Sequence, residues 1–514
     1  MATIKGPSTS SSVADADGWS GRSERRDVNV KNPIPLHFKV VAIFFISCIG
    51  FSWHWSSGVT KALKSTIKDE MNISNTQFSL LEASDDFMST ILVIPSGLIT
   101  DRIGGVVMVV YGKLIYTLGS MLVAAATTVR SYDFMVTGRI ILSIGHISTQ
   151  IAQYKMFSAW FSPGNGFAMT LGFEAAASKV GGFVGRATAN IISQDCGFVW
   201  AFWVAVFINL TGNAATILFW LLDRYCDRHY DPPKDEATGD NLRRSNKKFK
   251  LTKILQLPWM YWVIMAYAVF ESTTTSVFSQ NSTELTEKLF HLDPISAGWY
   301  SAVAQYGGFF LAPLMGYCLD HYGKRVFALF FSASCLLFGM VLLNYAESKT
   351  GLVFSFVAYG VVKCTSSVIL MDSIRTIMWE EAVFGTASAI KSTIDNAMSI
   401  VVRLITGVLQ DQDNGSYVRV NYVYLILAIC LVVIATSILL TTLLDSRNFA
   451  PLQWAQKKRF KDGPGLLAEL RDHHFVQKRR RTRFISLSGF TLILLLTVAS
   501  WGVYIWGAVT GNEY

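Results

Sequence analysis

Charged and hydrogen-bonding residues that interrupt long apolar runs are where this chain could do chemistry, and the chemistry open to them there is the binding of ions and polar solutes. His146, Gln150, Gln153 and Tyr154 follow one another at close to helical spacing in "GHISTQIAQY", so they share one helix face. Such a face can line a cavity; a histidine that only packs against a neighbouring helix is the competing reading. A second stretch, "FEAAASKVGGFVGR", carries Glu174, Ser178, Lys179 and Arg186, with Lys179 near the centre of its run. Lys179 offers a cation to a carboxylate, unless Glu174 neutralises it in a structural pair. Further along stand Glu271 in "AVFESTTTSVF", then Lys363, Asp372, Arg375, Lys391, Asp395 and Arg403. Lys391 and Asp395 are spaced i, i+4 and are expected to pair. The candidate substrate-binding residues are therefore His146, Gln150, Gln153, Lys179 and Lys363. Glu174, Glu271 and Asp395 are candidates for a proton site or for a counter-charge to an amine. Glu82, Asp85 and Asp86 read as a solvated rim at an outer helix end, or as a proton-sensing pair at Asp85 and Asp86. There is no nucleophile–base set, no metal-ligand cluster and no GxxxxGK[ST] loop, so the expectation is no enzyme, no metal and no cofactor.

The elements that position these residues follow from composition. Of 514 residues 51% are hydrophobic and 16% charged, and mean hydropathy is +0.36. Soluble domains carry about one quarter charged residues. Apolar stretches near the ~20 residues that span a bilayer lie at about 39–59, 78–100, 106–128, 133–160, 165–191 and 198–222. A second set lies at about 258–279, 296–319, 325–345, 351–374, 385–409 and 420–444. This predicts an all-α polytopic membrane protein with six-helix halves at 38–222 and 257–444, joined by a cytosolic loop at 223–256. A polar tail at 1–37 reads as disordered and cytosolic. The segment 445–483 is basic and cytosolic, and the uncharged run within 484–514 predicts a thirteenth span.

Lys and Arg concentrate in the central loop and in the 445–483 segment, which places both in the cytosol. The net charge of +9 is thus topological and does not call for nucleic acid. Sequons at Asn72, Asn281 and Asn414 fall in expected outer loops, whereas Lys61, Lys64 and Lys68 run against the charge rule there. The cysteines are scattered, and no disulfide framework follows.

One short pattern occurs twice. Gly97, Asp101, Arg102 and Gly104 in "GLITDRIGG" match Gly316, Asp320, Gly323, Lys324 and Arg325 in "GYCLDHYGKR", each between the second and third helix of its half. A glycine for a close helix crossing, an aspartate at the helix end and a tight turn at the second glycine make a gating latch. In the first copy Gly105 and Val106 stand where the second has its basic pair.

The repeated pattern resembles the loop signature of the major facilitator superfamily. The stretches "KALKSTIKDEMNISNTQFSLLEA", "GRIILSIGHISTQIAQYKMFSAWF", "LTEKLFHLDPISAGWYSAVAQY" and "GTASAIKSTIDNAMSIVVRLITGVLQD" resemble, more narrowly, the lysosomal dipeptide-carrier branch typified by major facilitator superfamily domain-containing protein 1. The likeness covers about 36–444. It implies the major facilitator fold, rocking of two halves about a central site, a monomeric transport unit in contact with membrane lipid, and a place for an accessory membrane subunit. It also implies that Lys179, in "ASKVGG", takes the place of a substrate-binding arginine, although lysine lacks the planar fork. The acid that the branch carries in helix four falls on Ile147. A lysosomal or vacuolar membrane is implied; the N-terminal tail carries no acidic dileucine signal, which leaves the plasma membrane open. The expected function is secondary transport of a dipeptide, a related zwitterion or an organic anion. An exporter of amphipathic compounds is one alternative, and a non-transporting sensor or scaffold acting through its tails is another.

Overall fold

In hydrocarbon every backbone N–H and C=O must be satisfied within its own segment, so apolar runs of this length fold as helices. The computed structural model describes residues 34–160, 167–231, 257–306, 308–345, 348–378, 381–444, 450–455, 469 and 479–510. Its helices are α1 (Leu36–Ala62), α2 (Lys64–Met71), α3 (Asn75–Ile103), α4 (Gly105–Val129), α5 (Tyr132–Trp160), α6 (Phe167–Cys196), α7 (Phe198–His229), α8 (Trp259–Phe290), α9 (Pro294–Tyr306), α10 (Gly308–Tyr322), α11 (Arg325–Tyr345), α12 (Lys349–Ile377), α13 (Glu381–Gln412), α14 (Val418–Leu444), the short α15 (Ala450–Gln453) and α16 (Arg479–Thr510). Helix lies over every stretch expected from hydropathy. The stretch at 296–319 is divided into α9 and α10. Most of the 1–37 tail, the central loop from 232 and most of 445–478 fall outside the described residues.

Helix ends follow local chemistry. Ser74 and Gln77 close a reciprocal capping box at the start of α3. Asp293 caps α9 ahead of Pro294, and hydrogen bonds from the Ser296 hydroxyl and N–H hold its exposed carboxyl below the usual range. Among the described residues eight helices are long and apolar enough to cross a membrane, α16 among them. Helices α3, α5, α6 and α8 are of similar length but carry the charged residues discussed below.

Helices α1 and α3–α7 pack into one bundle, with α4 on α5 and α1 on α6 and α7; α8–α14 form the other, with α11 on α12 and α14 and α8 on α13. The bundles meet along α3 and α13, along α6 with α9 and α10, and where α1 touches α8. Helix α16 lies outside this seam against α13, α3 and α8. Trp501 donates to the Thr90 hydroxyl at 2.8 Å, Tyr504 meets Ser84 at 2.9 Å, and the Tyr504 ring stacks on Phe87 at 4.4 Å.

Two expectations are corrected here. Asn281 is 1% exposed inside α8 and donates to Tyr424, so it is no loop sequon; the helix runs on to a left-handed cap at His291 because no glycine or proline interrupts it. Asn72 and Asn414 do stand exposed, both in left-handed turns. Lys61, Lys64 and Lys68 are not in an open loop either: Lys61 ends α1, and Lys64 and Lys68 belong to α2, where Lys64 is fully buried. A lysine neutralised by a protein carboxylate adds little to the charge difference between the two sides of a membrane.

Candidate functional site

The polar residues sort into layers along the seam, and the outer layer is the most heavily bonded. Lys64 of the first half lies 2.9 Å from Glu284 of the second and also donates to Asn281, Gln410 and Tyr417. Glu284 is further paired with Lys68 and with Lys288 at 3.3 Å, and it accepts from Tyr417 at 2.6 Å. Beside it, Asp411 of α13 accepts the Asn75 and Thr76 N–H groups at 2.9 and 2.7 Å. An anion from one half thereby caps the first turn of a helix in the other.

Deeper in, Arg403 of α13 pairs with Asp86 of α3 at 2.8 Å, lies 3.8 Å from Glu82 and donates to Gln280. Glu82 is also paired with Arg139 of α5. The expected solvated rim is therefore largely covered, with Glu82 buried and Asp86 half-buried in ion pairs, because α13 docks on α3 there. Arg186 of α6 donates to the Ser279 carbonyl and hydroxyl, each at 2.7 Å, and to Ser282 at 2.9 Å. Together these bonds join the two halves at one end of the seam.

The sequence-derived candidates lie below these bonds. On the first half Trp53 of α1 stacks on His146 of α5, ring centroids 4.0 Å apart and planes within 5°. His54 is within electrostatic range of His146, Lys179 and Lys363. Gln150 is exposed, but Gln153 is buried and donates to the Ile46 carbonyl at 3.2 Å, so only part of the expected face stays open. Glu174 does not pair with Lys179; it accepts from Ser178 at 3.0 Å, against Gly50 of α1. Lys179 reaches across to the carbonyl of Lys363 in α12 at 3.2 Å.

On the second half Lys391 and Asp395 pair at 2.5 Å, as their spacing requires. Glu271 is 2% exposed and accepts from Ser272 at 3.4 Å. Glu271 also lies within electrostatic range of Lys363, Lys391 and Asp395. Helices α1, α5, α6, α8, α12 and α13 thus bring both signs of charge to one central level.

The two hinge copies differ. Gly104 and Gly323 have φ of +98° and +71°, as tight turns at these glycines demand. Gly97 does not sit at a close crossing: a Cβ there would meet nothing within 4 Å, and at Gly316 the nearest atom would be Val368 at 3.9 Å. Arg102 is exposed. The side chains of Asp101 and Asp320 lie outside the described residues. In the second copy Arg325 is 1% exposed, pairs with Asp372 of α12 at 2.5 Å and donates to the Trp454 carbonyl at 2.8 Å. The Lys324 N–H donates to the Gln453 carbonyl at 3.2 Å, so the end of α15 is seated on this hinge.

Lys64, Glu284, Gln410 and Asp411 escape a reading by motif. Besides the misplaced charge of Lys64, their signal is the run "SQNSTELTE" at 279–287, polar on every side of an unbroken helix, which demands polar partners all round it.

The chain resembles known proteins over most of its length. Residues 40–402 match the family described as Major Facilitator Superfamily. The lysosomal dipeptide transporter MFSD1 of Danio rerio is 22% identical over 423 residues, covering 79% of this chain and 88% of that protein. The Homo sapiens protein of the same name is 19% identical over 437 residues, covering 83% and 91%. Among solved structures, a bacterial homolog of the human lysosomal transporter Spinster, described as inward-facing and unoccupied, aligns with a TM-score of 0.58 at 13% identity, covering 93% of this chain and 99% of that one. With its helical halves, its repeated hinge and this match over most of its length, the chain is a multi-pass integral membrane protein that belongs to the major facilitator superfamily of transporters.

Proposed function

We propose that this protein is a secondary carrier that moves a small zwitterionic solute of the dipeptide class by alternating access, as a monomeric unit in a lysosomal or vacuolar membrane. The observation that carries the reading is the Lys179 contact with Lys363 across the halves, at one level with Glu271 and Asp395. A solute bound there touches both halves at once, so its binding energy acts on the equilibrium between inward and outward states. The names of the relatives, which are dipeptide transporters, support the substrate class. The resemblance implies an acid at the position where this chain has Ile147.

A ligand that binds the folded state raises its apparent stability by mass action. Purified protein is therefore expected to show a thermal shift with dipeptides, at pH 5 or pH 7, and Lys179→Ala should abolish it. Shifts confined to free amino acids or organic anions would replace the dipeptide by that class. Silence from every class in the wild type would overturn the carrier reading in favour of a sensor.

The hinges act on rate and not on affinity in this reading, because they lie far from the central level. Asp101→Asn and Asp320→Asn should each slow uptake into proteoliposomes several-fold while the solute's Kd stays within about twofold. Unchanged turnover in both variants removes the hinge from the mechanism.

A further inference from the structure

The carrier reading leaves open which half holds which end of a zwitterion. Among the described residues Lys179 of the first half forms no ion pair at the central level and donates to a backbone carbonyl. The first half's one buried carboxylate oxygen left without a donor among the described residues, Asp85 Oδ1 on α3, stands near His146 and Arg403 and not beside Lys179. Ile147, where the family branch has its carboxylate, is 1% exposed and packed away. Glu174 is satisfied by Ser178 within the α1–α6 seam.

The second half shows the opposite arrangement. Glu271 is 2% exposed, and although the Ser366 hydroxyl lies near, no donor among the described residues reaches its Oε1 with hydrogen-bond geometry. Asp395, whose side chain is 13% exposed, gives one oxygen to Lys391 at 2.5 Å, while its Oδ1 is covered and has no donor among the described residues. Buried carboxylate oxygens almost always have a donor, and at membrane depth an unmet one is costly. Glu271 and Asp395 lie within electrostatic range of each other and of Lys363, but neither forms an ion pair with Lys363 among the described residues. An ammonium group has three donors and a positive charge, which is the chemistry that two unmet carboxylate oxygens in one electrostatic cluster select.

Resting on the carrier reading, we infer that Glu271 Oε1 and Asp395 Oδ1 form the subsite for the primary ammonium of the solute, with Lys179 in the opposite half holding its carboxylate. The solute's dipole then runs from the second half to the first. Loss of the acid at Ile147 is offset by carboxylates on α8 and α13.

Three probes separate the poles: alanyl-alanine, its N-acetyl derivative, which lacks the ammonium, and its amide, which lacks the carboxylate. Binding is measured calorimetrically on the purified full-length protein. Glu271→Gln and Asp395→Asn should weaken alanyl-alanine and its amide about ten- to a hundredfold, the worth of a charge-assisted hydrogen bond, and leave the N-acetyl derivative at its wild-type affinity. Lys179→Gln should do the reverse, sparing the amide. The double variant Lys391→Gln/Asp395→Asn keeps the local charge balance and serves if Asp395→Asn alone does not fold. Equal losses for all three probes would mean that Glu271 and Asp395 are only structural. Wild-type affinity for alanyl-alanine in both acid variants would likewise overturn the subsite while leaving the carrier intact. If the wild type binds none of the probes, it is the dipeptide reading of the substrate that fails, and the subsite with it.

Discussion

Glu284→Gln is expected to open the outer end of this carrier and to lower its thermal stability. Glu284 is 1% exposed and holds three lysines: Lys64 at 2.9 Å, Lys288 at 3.3 Å and Lys68. Lys64 and Lys68 come from the first half, so the carboxylate is the joint between the halves at this level. Glutamine keeps the shape and removes the charge, leaving Lys64 buried among like charges. Breaking a buried pair from one side costs about 3–5 kcal/mol, because the remaining ion stays desolvated. The gap between the two states of a rocking carrier is itself a few kcal/mol, so the change is enough to invert their populations. Spin labels at exposed Asn72 and Asn414, on opposite halves, should report a longer distance in the variant. Lys64→Met combined with Glu284→Leu should recover much of the closed population, since an apolar pair removes the stranded charge. A wild-type distance distribution together with a wild-type unfolding temperature in Glu284→Gln would end the idea of an outer lock.

Gly145→Ala and Gly119→Ala are expected to damage folding directly. A Cβ at Gly145 would lie 2.3 Å from the backbone nitrogen of Tyr116, and one at Gly119 would lie 2.3 Å from that of Leu142. The obstacle in both cases is main chain, which cannot rotate away. Helices α4 and α5 approach closely because these glycines let them, and in a membrane such contact replaces the hydrophobic drive as the source of association. Overpacking of this kind costs about 1–3 kcal/mol and more where backbone must move. Each variant should lose folded yield and several degrees of Tm, measured by fluorescence-detected size exclusion after heating. Gly97→Ala is the control: its Cβ meets nothing within 4 Å, and it should behave as wild type. Equal tolerance of all three substitutions would show that the α4–α5 spacing is soft.

Much of the central site was legible because its signals are local. An ionisable residue in an apolar run stands out in one dimension, so Lys179, Lys363, Glu271 and Asp395 could be named from composition alone. The Lys391–Asp395 pair followed from a spacing of four, and the left-handed turns at Gly104 and Gly323 from residue type. The fate of Gln153 was not legible, since whether a helical residue faces a cavity or a neighbouring helix depends on the rotation of α5 against α1. The same holds for Gly97, which reads as a crossing point in sequence but faces no neighbour in this conformation. Glu82, Asp85 and Asp86 looked solvated because a helix end is solvated unless another element covers it, and α13 does.

What the sequence by itself determined is which stretches are helical, because hydropathy and backbone hydrogen bonding act within one segment; the extension of α8 to Phe290, the separate α2 and the division of 296–319 into α9 and α10 were not determined by it. It also marked which helices carry charge into the membrane. Only the tertiary structure decided how those charges are used. Lys64 meets Glu284, Asp411 caps α3, and Arg403 reaches Asp86 only because two separately folded bundles dock along α3 and α13. No period or motif encodes a contact between residues that far apart in the chain. Such contacts arise from the relative placement of the halves, the coordinate that a rocking carrier must change in order to work.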